Sequence, residues 1–243
     1  MPSARGRIES FAFEPGHILA EKYRVESLLG RGWEGEVYKI VEVGTGIERA
    51  AKLFFPHRNR RNSAARRYAL KLHKLRHCNI LIQYYTQDIV LFAGQRVTVL
   101  VSEFVEGELL ENLLKRQPGG ALPPFEALHL LHSLAAGIAD IHMAREYHGD
   151  LHTENVIVRR YGLGFQIKLI DLFHWVAPKR ENIQGDVCDL IRLFYDVLGG
   201  ARRYRHHRDE IKDICCGLKR TLVLAKFKTA GQLRDYLEAI DWA

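Results

Sequence analysis

No acidic residue lies between Glu48 and Asp88, a stretch that carries Arg58, Arg60, Arg61, Arg66, Arg67, Lys71, Lys74 and Arg76. Nor does any apolar run approach the length that spans a bilayer, which excludes a membrane-crossing helix. Met1-Pro-Ser-Ala-Arg5 leads into no apolar segment, so no secretory signal is expected and the cytoplasm is the default location. Cysteine is scarce: Cys78, Cys188, Cys215 and Cys216 form no matched CxxC pairs, and reduced thiols in packed positions are expected. What remains is an ordinary globular composition over 243 residues, enough for one or two domains with a sizeable core.

The net charge of +7 is unevenly spread. Besides the acid-free run there is a second cluster, Arg202, Arg203, Arg205, His206, His207 and Arg208. Such patches attract nucleic acid or an acidic partner. Aromatic residues do not interleave with the charges, so a solvated helix face is favoured over a nucleic-acid surface. The run Arg58–Arg76 is the candidate dock for an acidic partner.

Residues 1–22 read as a lead-in. From Tyr23 to Val43 alternating apolar positions flank a glycine-rich turn at 30–35, the pattern of a hairpin. Glu48–Phe55 is a third strand ended by Pro56, residues 62–76 a basic helix, and Ile80–Tyr85, Asp88–Phe92 and Arg96–Phe104 further strands. After Gly107 the texture turns helical. Leu109–Lys115 is short; Pro123-Pro124 opens a long helix to about Met143; Val156–Val158 and Gln166–Ile170 are short strands; Asp186–Leu198, 208–217 and 229–240 are helices. The predicted class is α+β: a small antiparallel β lobe with one helix over 23–105, then a larger helical lobe over 106–243.

Four segments carry chemistry. Gly30-Arg-Gly32-Trp-Glu-Gly35-Glu-Val37 places three glycines in a strand–turn–strand, where backbone N–H groups can approach phosphate oxygens. Ala50-Ala-Lys52 sets an ammonium near the end of the next strand. His148-Gly-Asp150-Leu-His152-Thr-Glu-Asn155 and Ile170-Asp171-Leu-Phe173 supply carboxylates and an amide. In-line phosphoryl transfer needs a carboxylate to accept or orient the nucleophile's proton, with amide and carboxylate oxygens for Mg²⁺. Asp150 fits the first role and Asn155 and Asp171 the second. Lys52 would hold phosphates, and Val37 would cover an adenine. Each segment alone is weak; their order and separations together point to ATP and Mg²⁺.

At these residues the chain resembles the eukaryotic-type Ser/Thr protein kinases, the bacterial members in particular. The run Pro15-Gly-His-Ile-Leu-Ala-Glu-Lys-Tyr23 into the glycine turn looks like theirs. The resemblance implies a bilobal protein-kinase-like fold, reduced in its second lobe, with Ala50 lining the adenine pocket and Ser102 as gatekeeper. It implies a hinge at Glu103–Val105, Glu108 on the ribose, and Asp186 bracing the loop that carries Asp150. The implied activity is transfer of the γ-phosphate of ATP to a hydroxyl acceptor, protein or small molecule.

The departures are as informative. The helix after Lys52 should supply a pairing Glu; aligning His77-Cys-Asn-Ile80 on the family's His-Pro-Asn-Ile puts Tyr68 there. Lys52 is thus expected to pair elsewhere, with Asp171 or the nucleotide itself, unless Glu34 or Glu36 reaches it. Gly149 stands where an Arg usually receives an activation-loop phosphate. His152 stands where a Lys usually touches the γ-phosphate, and His-Gly-Asp-Leu-His also occurs in aminoglycoside and sugar kinases. Asp171-Leu-Phe replaces Asp-Phe-Gly, and only fourteen residues separate Asp171 from Asp186. The platform for a peptide substrate is therefore expected to be missing. A small-molecule kinase and a nucleotide-binding pseudokinase stand as the alternatives.

Overall fold

The computed structural model describes residues 6–162 and 164–240. Residues 1–5 of the expected lead-in and 241–243 of the second lobe lie outside the described residues. Contacts divide the chain into two units: residues up to Arg76 with Ile82–Val105, and His77–Leu81 with the residues from Glu106 onward.

The first unit is a six-stranded antiparallel sheet with one α-helix. Its strands are β1 (Ile18–Leu19), β2 (Tyr23–Arg31), β3 (Gly35–Glu42), β4 (Glu48–Phe54), β5 (Tyr84–Phe92) and β6 (Gln95–Glu103), in the order β1-β2-β3-β4-β6-β5. The glycine turn closes the β2–β3 hairpin with Gly30 opposite Val37, and β3–β4 pairing sets Val37 opposite Lys52. The helix α1 (Ser63–Lys74) buries Ala64, Ala65, Tyr68, Lys71 and Leu72, one face at helical spacing.

The described part of the lead-in is built into this unit. Ile8, Phe11 and Leu19 are buried in the sheet's core. Phe11 stacks on Phe55 and meets Phe92 edge-on, with ring centroids 5.4 and 5.3 Å apart. Glu36, only 1% exposed, ties the two segments together. Its carboxylate accepts from Tyr38 Oη at 2.5 Å, Ser10 Oγ at 2.9 Å and the Phe11 amide at 3.1 Å, and pairs with Arg31 at 2.7 Å. Burial alone would raise this carboxyl; the hydrogen bonds from Tyr38, Phe11, Ser10 and Arg31 outweigh it and hold it below its ordinary range.

One expected strand is corrected. Ile80–Tyr85 is not continuous: β5 starts at Tyr84, and Leu81 makes only an isolated bridge to Leu169. The Leu169 amide donates to Ile80 O at 2.7 Å, and Ile80 packs so closely on Gly137 that a Cβ there would come within 2.3 Å of it. Ile80 thus packs on Gly137, while Tyr84 at the other end of the run pairs with Ser102 in the sheet.

The second unit holds a small sheet of β7 (Glu108–Leu109), β8 (Val156–Tyr161) and β9 (Gly164–Leu169), and the helices α2 (Leu110–Arg116) and α3 (Pro124–Met143). Then follow α4 (Arg180–Val197), α5 (Gly200–Arg203), α6 (Asp209–Cys215), α7 (Arg220–Lys226) and α8 (Ala230–Ala239). The helix α3 buries Leu130, Leu131, Leu134, Ile138 and Ile141 along its length. The helix α4 begins six residues before the expected Asp186, with Asn182 Oδ1 accepting the Lys179 amide at 2.9 Å to cap its first turn. The helix α7 was not expected. No described helix is long and apolar enough to cross a membrane. All four cysteines are free thiols, and burial pushes Cys215 up to about 12.

Candidate active site

The 148–155 loop is organised by one buried carboxylate. Asp186 on α4, wholly buried, accepts the His148 amide at 2.7 Å, the Gly149 amide at 2.8 Å and His142 Nε2 at 3.0 Å. His148, equally buried, accepts the Asp150 amide on Nδ1 and donates from Nε2 to Ile170 O at 3.1 Å. Those two bonds define a neutral ring with its proton on Nε2. Gly149 has φ +80°, and a Cβ there would lie 2.6 Å from the Tyr147 ring and 2.9 Å from Phe173. The backbone therefore excludes the arginine usual in the family, independently of regulation.

Asn155 joins the chemistry-bearing groups of this unit. Its amide nitrogen donates to Asp150 O at 2.8 Å and to Asp150 Oδ2 at 3.0 Å, and lies 2.9 Å from His152 Nε2. With the nitrogen committed to Asp150, the carbonyl oxygen is the atom a hard cation would take. Asp150 and His152 have side chains 55% and 46% exposed, open to an incoming substrate. The Ile170 amide donates to Asn155 O at 3.0 Å and the Phe173 amide to His148 O at 2.8 Å, so the backbone on both sides of Asp171 is anchored to this loop. Asp171 itself has φ +54°, a conformation that costs a non-glycine residue energy. Among the described residues no group of three or more His, Cys, Asp or Glu side chains forms a metal cage.

Sequence reasoning missed Asp189, one turn after Asp186. Burial, then the negative charges of Asp186 and Asp150, push its carboxyl up to about 6. A carboxyl raised in the folded state contributes stability below its unfolded value, near 3.8, and loses it as pH rises through about 6. Asp189→Asn is therefore expected to match the wild type near pH 4 and to exceed it by about 2 kcal/mol above pH 7, read from denaturant melts across that range.

In the first unit, Lys52 has a partner the sequence did not assign. Its Nζ lies 3.2 Å from Glu34 Oε2, with both side chains about 85% buried (15% and 13% exposed). Glu34 thus joins the partners considered for this lysine. The residue on α1 in place of the family's acid, Tyr68, offers its ring 4.7 Å from Nζ, with Phe54 at 5.4 Å.

The glycines divide by role. A Cβ on Gly35 would strike Leu53 O at 1.9 Å, so that glycine serves strand packing. Gly30 and Gly32 have no atom within 4 Å of such a Cβ, which leaves room beside their backbone. Ala50 is opposite Ser102, and Glu103 ends β6 with its amide on Gln83 O at 2.8 Å. Val105 closes the first unit, while Glu108 opens β7 and forms an ion pair with Arg116. Of the basic run, Lys71 is buried and Arg58 stacks over Trp33 at 4.0 Å, so the run is not a single solvated face.

Comparison with known proteins identifies the family. A family model described as Protein kinase domain matches residues 23–180, so the chain belongs to the protein kinase family, a class of phosphotransferases with this bilobal fold. The match ends at Arg180, the first residue of α4. The chain is 35% identical over 159 residues to a serine/threonine-protein kinase, pkn2, of Myxococcus xanthus, covering 63% of this chain and 18% of that one. It is 26% identical to the serine/threonine-protein kinase PknA of Corynebacterium glutamicum, over 63% of this chain and 32% of that one. It is 29% identical to myosin light chain kinase 3 of Danio rerio, over 59% and 19%. The chain thus spans a third or less of these relatives.

Proposed function

We propose that this chain is an Mg²⁺–ATP-dependent phosphotransferase of atypical kind, carrying the γ-phosphate to a hydroxyl. The observation that supports it most is the Asn155 amide fixed on Asp150, with Asp171 held in a left-handed conformation between two anchors on the same loop. A bound Mg²⁺, held by Asn155 and Asp171, would neutralise developing phosphate charge. Asp150 orients the acceptor hydroxyl and takes its proton, and His152 faces the γ-phosphate. Lys52 clamps the phosphates nearer the adenosine, and the backbone at Gly30 and Gly32 approaches them. Val37 and Ala50 cover the adenine, Glu103 and Val105 meet its edge through the backbone, and Glu108 exchanges Arg116 for the ribose. Cytoplasmic location and an acidic partner at Arg58–Arg76 go with this reading.

The acceptor is a small molecule, the chain itself or one docked partner. Eight residues lie between Asp171 and α4, too few to lay out an extended peptide beside Asp150. A pseudokinase is the second reading, favoured by Glu34 standing against Lys52. Millimolar Mg²⁺–ATP is expected to raise the melting temperature by several degrees, since a ligand of the native state stabilises it by mass action. Asp171→Ala should erase the magnesium-dependent part of that shift. An unshifted wild-type melt would remove the nucleotide site from this account.

A further inference from the structure

We infer that Glu34 is a stand-in for nucleotide phosphate, a carboxylate carried on the glycine turn that occupies Lys52 until ATP displaces it. The inference rests on the reading of Lys52 as a phosphate clamp. The ion pair at 3.2 Å is largely buried, so the ammonium is neutralised from within the chain. The acid comes from the phosphate-facing turn: it lies between Gly32 and Gly35, on the segment that leaves open room at Gly30 and Gly32. From α1, where the family places its acid, Lys52 receives the Tyr68 ring, which attracts the cation with no net charge.

Glu34 and Tyr68 differ in what a phosphate does to them. A polyphosphate arriving at Lys52 leaves the Tyr68 contact intact but meets a like charge at Glu34. Glu34 must then give up Lys52, and every nucleotide that reaches Lys52 binds more weakly by the free energy of that exchange. The turn is held shut by more than the ion pair. The Phe55 amide donates to Glu34 O at 2.8 Å, and Arg58 stacks on Trp33. Opening it therefore moves Trp33 as well as Glu34.

The test is calorimetric titration of the full chain with adenosine, Mg²⁺–ADP and Mg²⁺–ATP, for the wild type, Glu34→Gln, Lys52→Met and the double variant. Glu34→Gln is expected to bind ADP and ATP about tenfold more tightly, equivalent to about 1.4 kcal/mol. Adenosine, which has no group for Lys52, should bind both forms equally and reports that the variant is folded. In the Lys52→Met background the gain from Glu34→Gln should vanish, the signature of a direct pair. Equal or weaker ADP binding by Glu34→Gln, with wild-type binding intact, overturns the stand-in alone and makes Glu34 a positioning acid or a bystander. Failure of the wild type and Glu34→Gln to bind any of the three overturns the nucleotide reading and the stand-in with it.

Discussion

Asp150→Asn is expected to slow γ-phosphate transfer by about 10²–10⁴-fold while leaving the Mg²⁺–ATP stabilisation of the fold in place. The substitution keeps an oxygen that can accept from Asn155 Nδ2, so the loop held by Asp186 should retain its shape. What it removes is a group able to accept a proton from the acceptor hydroxyl. The Asp150 side chain is half exposed and carries the only carboxylate of the 148–155 loop apart from Glu154, which sits two residues past His152 and is tied to it through its amide. Single-turnover transfer with saturating ATP isolates the chemical step, and melting with and without nucleotide separates binding from it. An unchanged transfer rate would take Asp150 out of the mechanism.

Glu36→Ala is expected to cost about 3–5 kcal/mol of stability. The substitution leaves the buried Tyr38 hydroxyl and Phe11 amide without their acceptor, at about 1–3 kcal/mol each. It also loosens the lead-in, which the Glu36 carboxylate holds through Ser10 and the Phe11 amide. For a chain of this size the melting temperature should fall on the order of 10 °C. The pH dependence carries a second check. A carboxyl lowered by its partners contributes stability above its unfolded value, near 4.5, and loses it as pH falls through the folded one. Wild type and variant should therefore differ most near neutrality and converge in acid.

Much of this was legible in the sequence because phosphoryl-transfer residues come in short strings whose separations reflect strand and loop lengths. The glycine turn between β2 and β3, Lys52 on β4, and the long helix to Met143 all lie where patterning put them. Asp186 accepts the His148 and Gly149 amides, bracing the loop backbone as the resemblance implied. Side-chain direction was less legible. Nothing in the spacing says that Glu34 turns toward Lys52, or that Tyr68 meets it face-on instead of an acid. The run Ile80–Tyr85 misled because an apolar stretch reads alike whether a strand or a helix covers it. The lead-in misled for another reason: Phe11-Ala-Phe13 has too few residues for a period, yet its rings fill the gap between Phe55 and Phe92. Asp189 escaped because its carboxyl is raised first by burial, which the sequence does not show, and then by Asp186 three residues before it and by Asp150, which the fold brings near.

The central claim is that phosphate leaves ATP on this chain. The direct measurement is incubation of the wild-type protein with γ-labelled ATP, with and without Mg²⁺, following the label on the chain, on added small hydroxyl compounds and on casein. The account predicts magnesium-dependent transfer to the chain or to a small hydroxyl compound, with little on casein. Mg²⁺–ATP that binds and keeps its label would contradict it and leave a nucleotide-binding module; efficient labelling of casein would contradict the lost peptide platform.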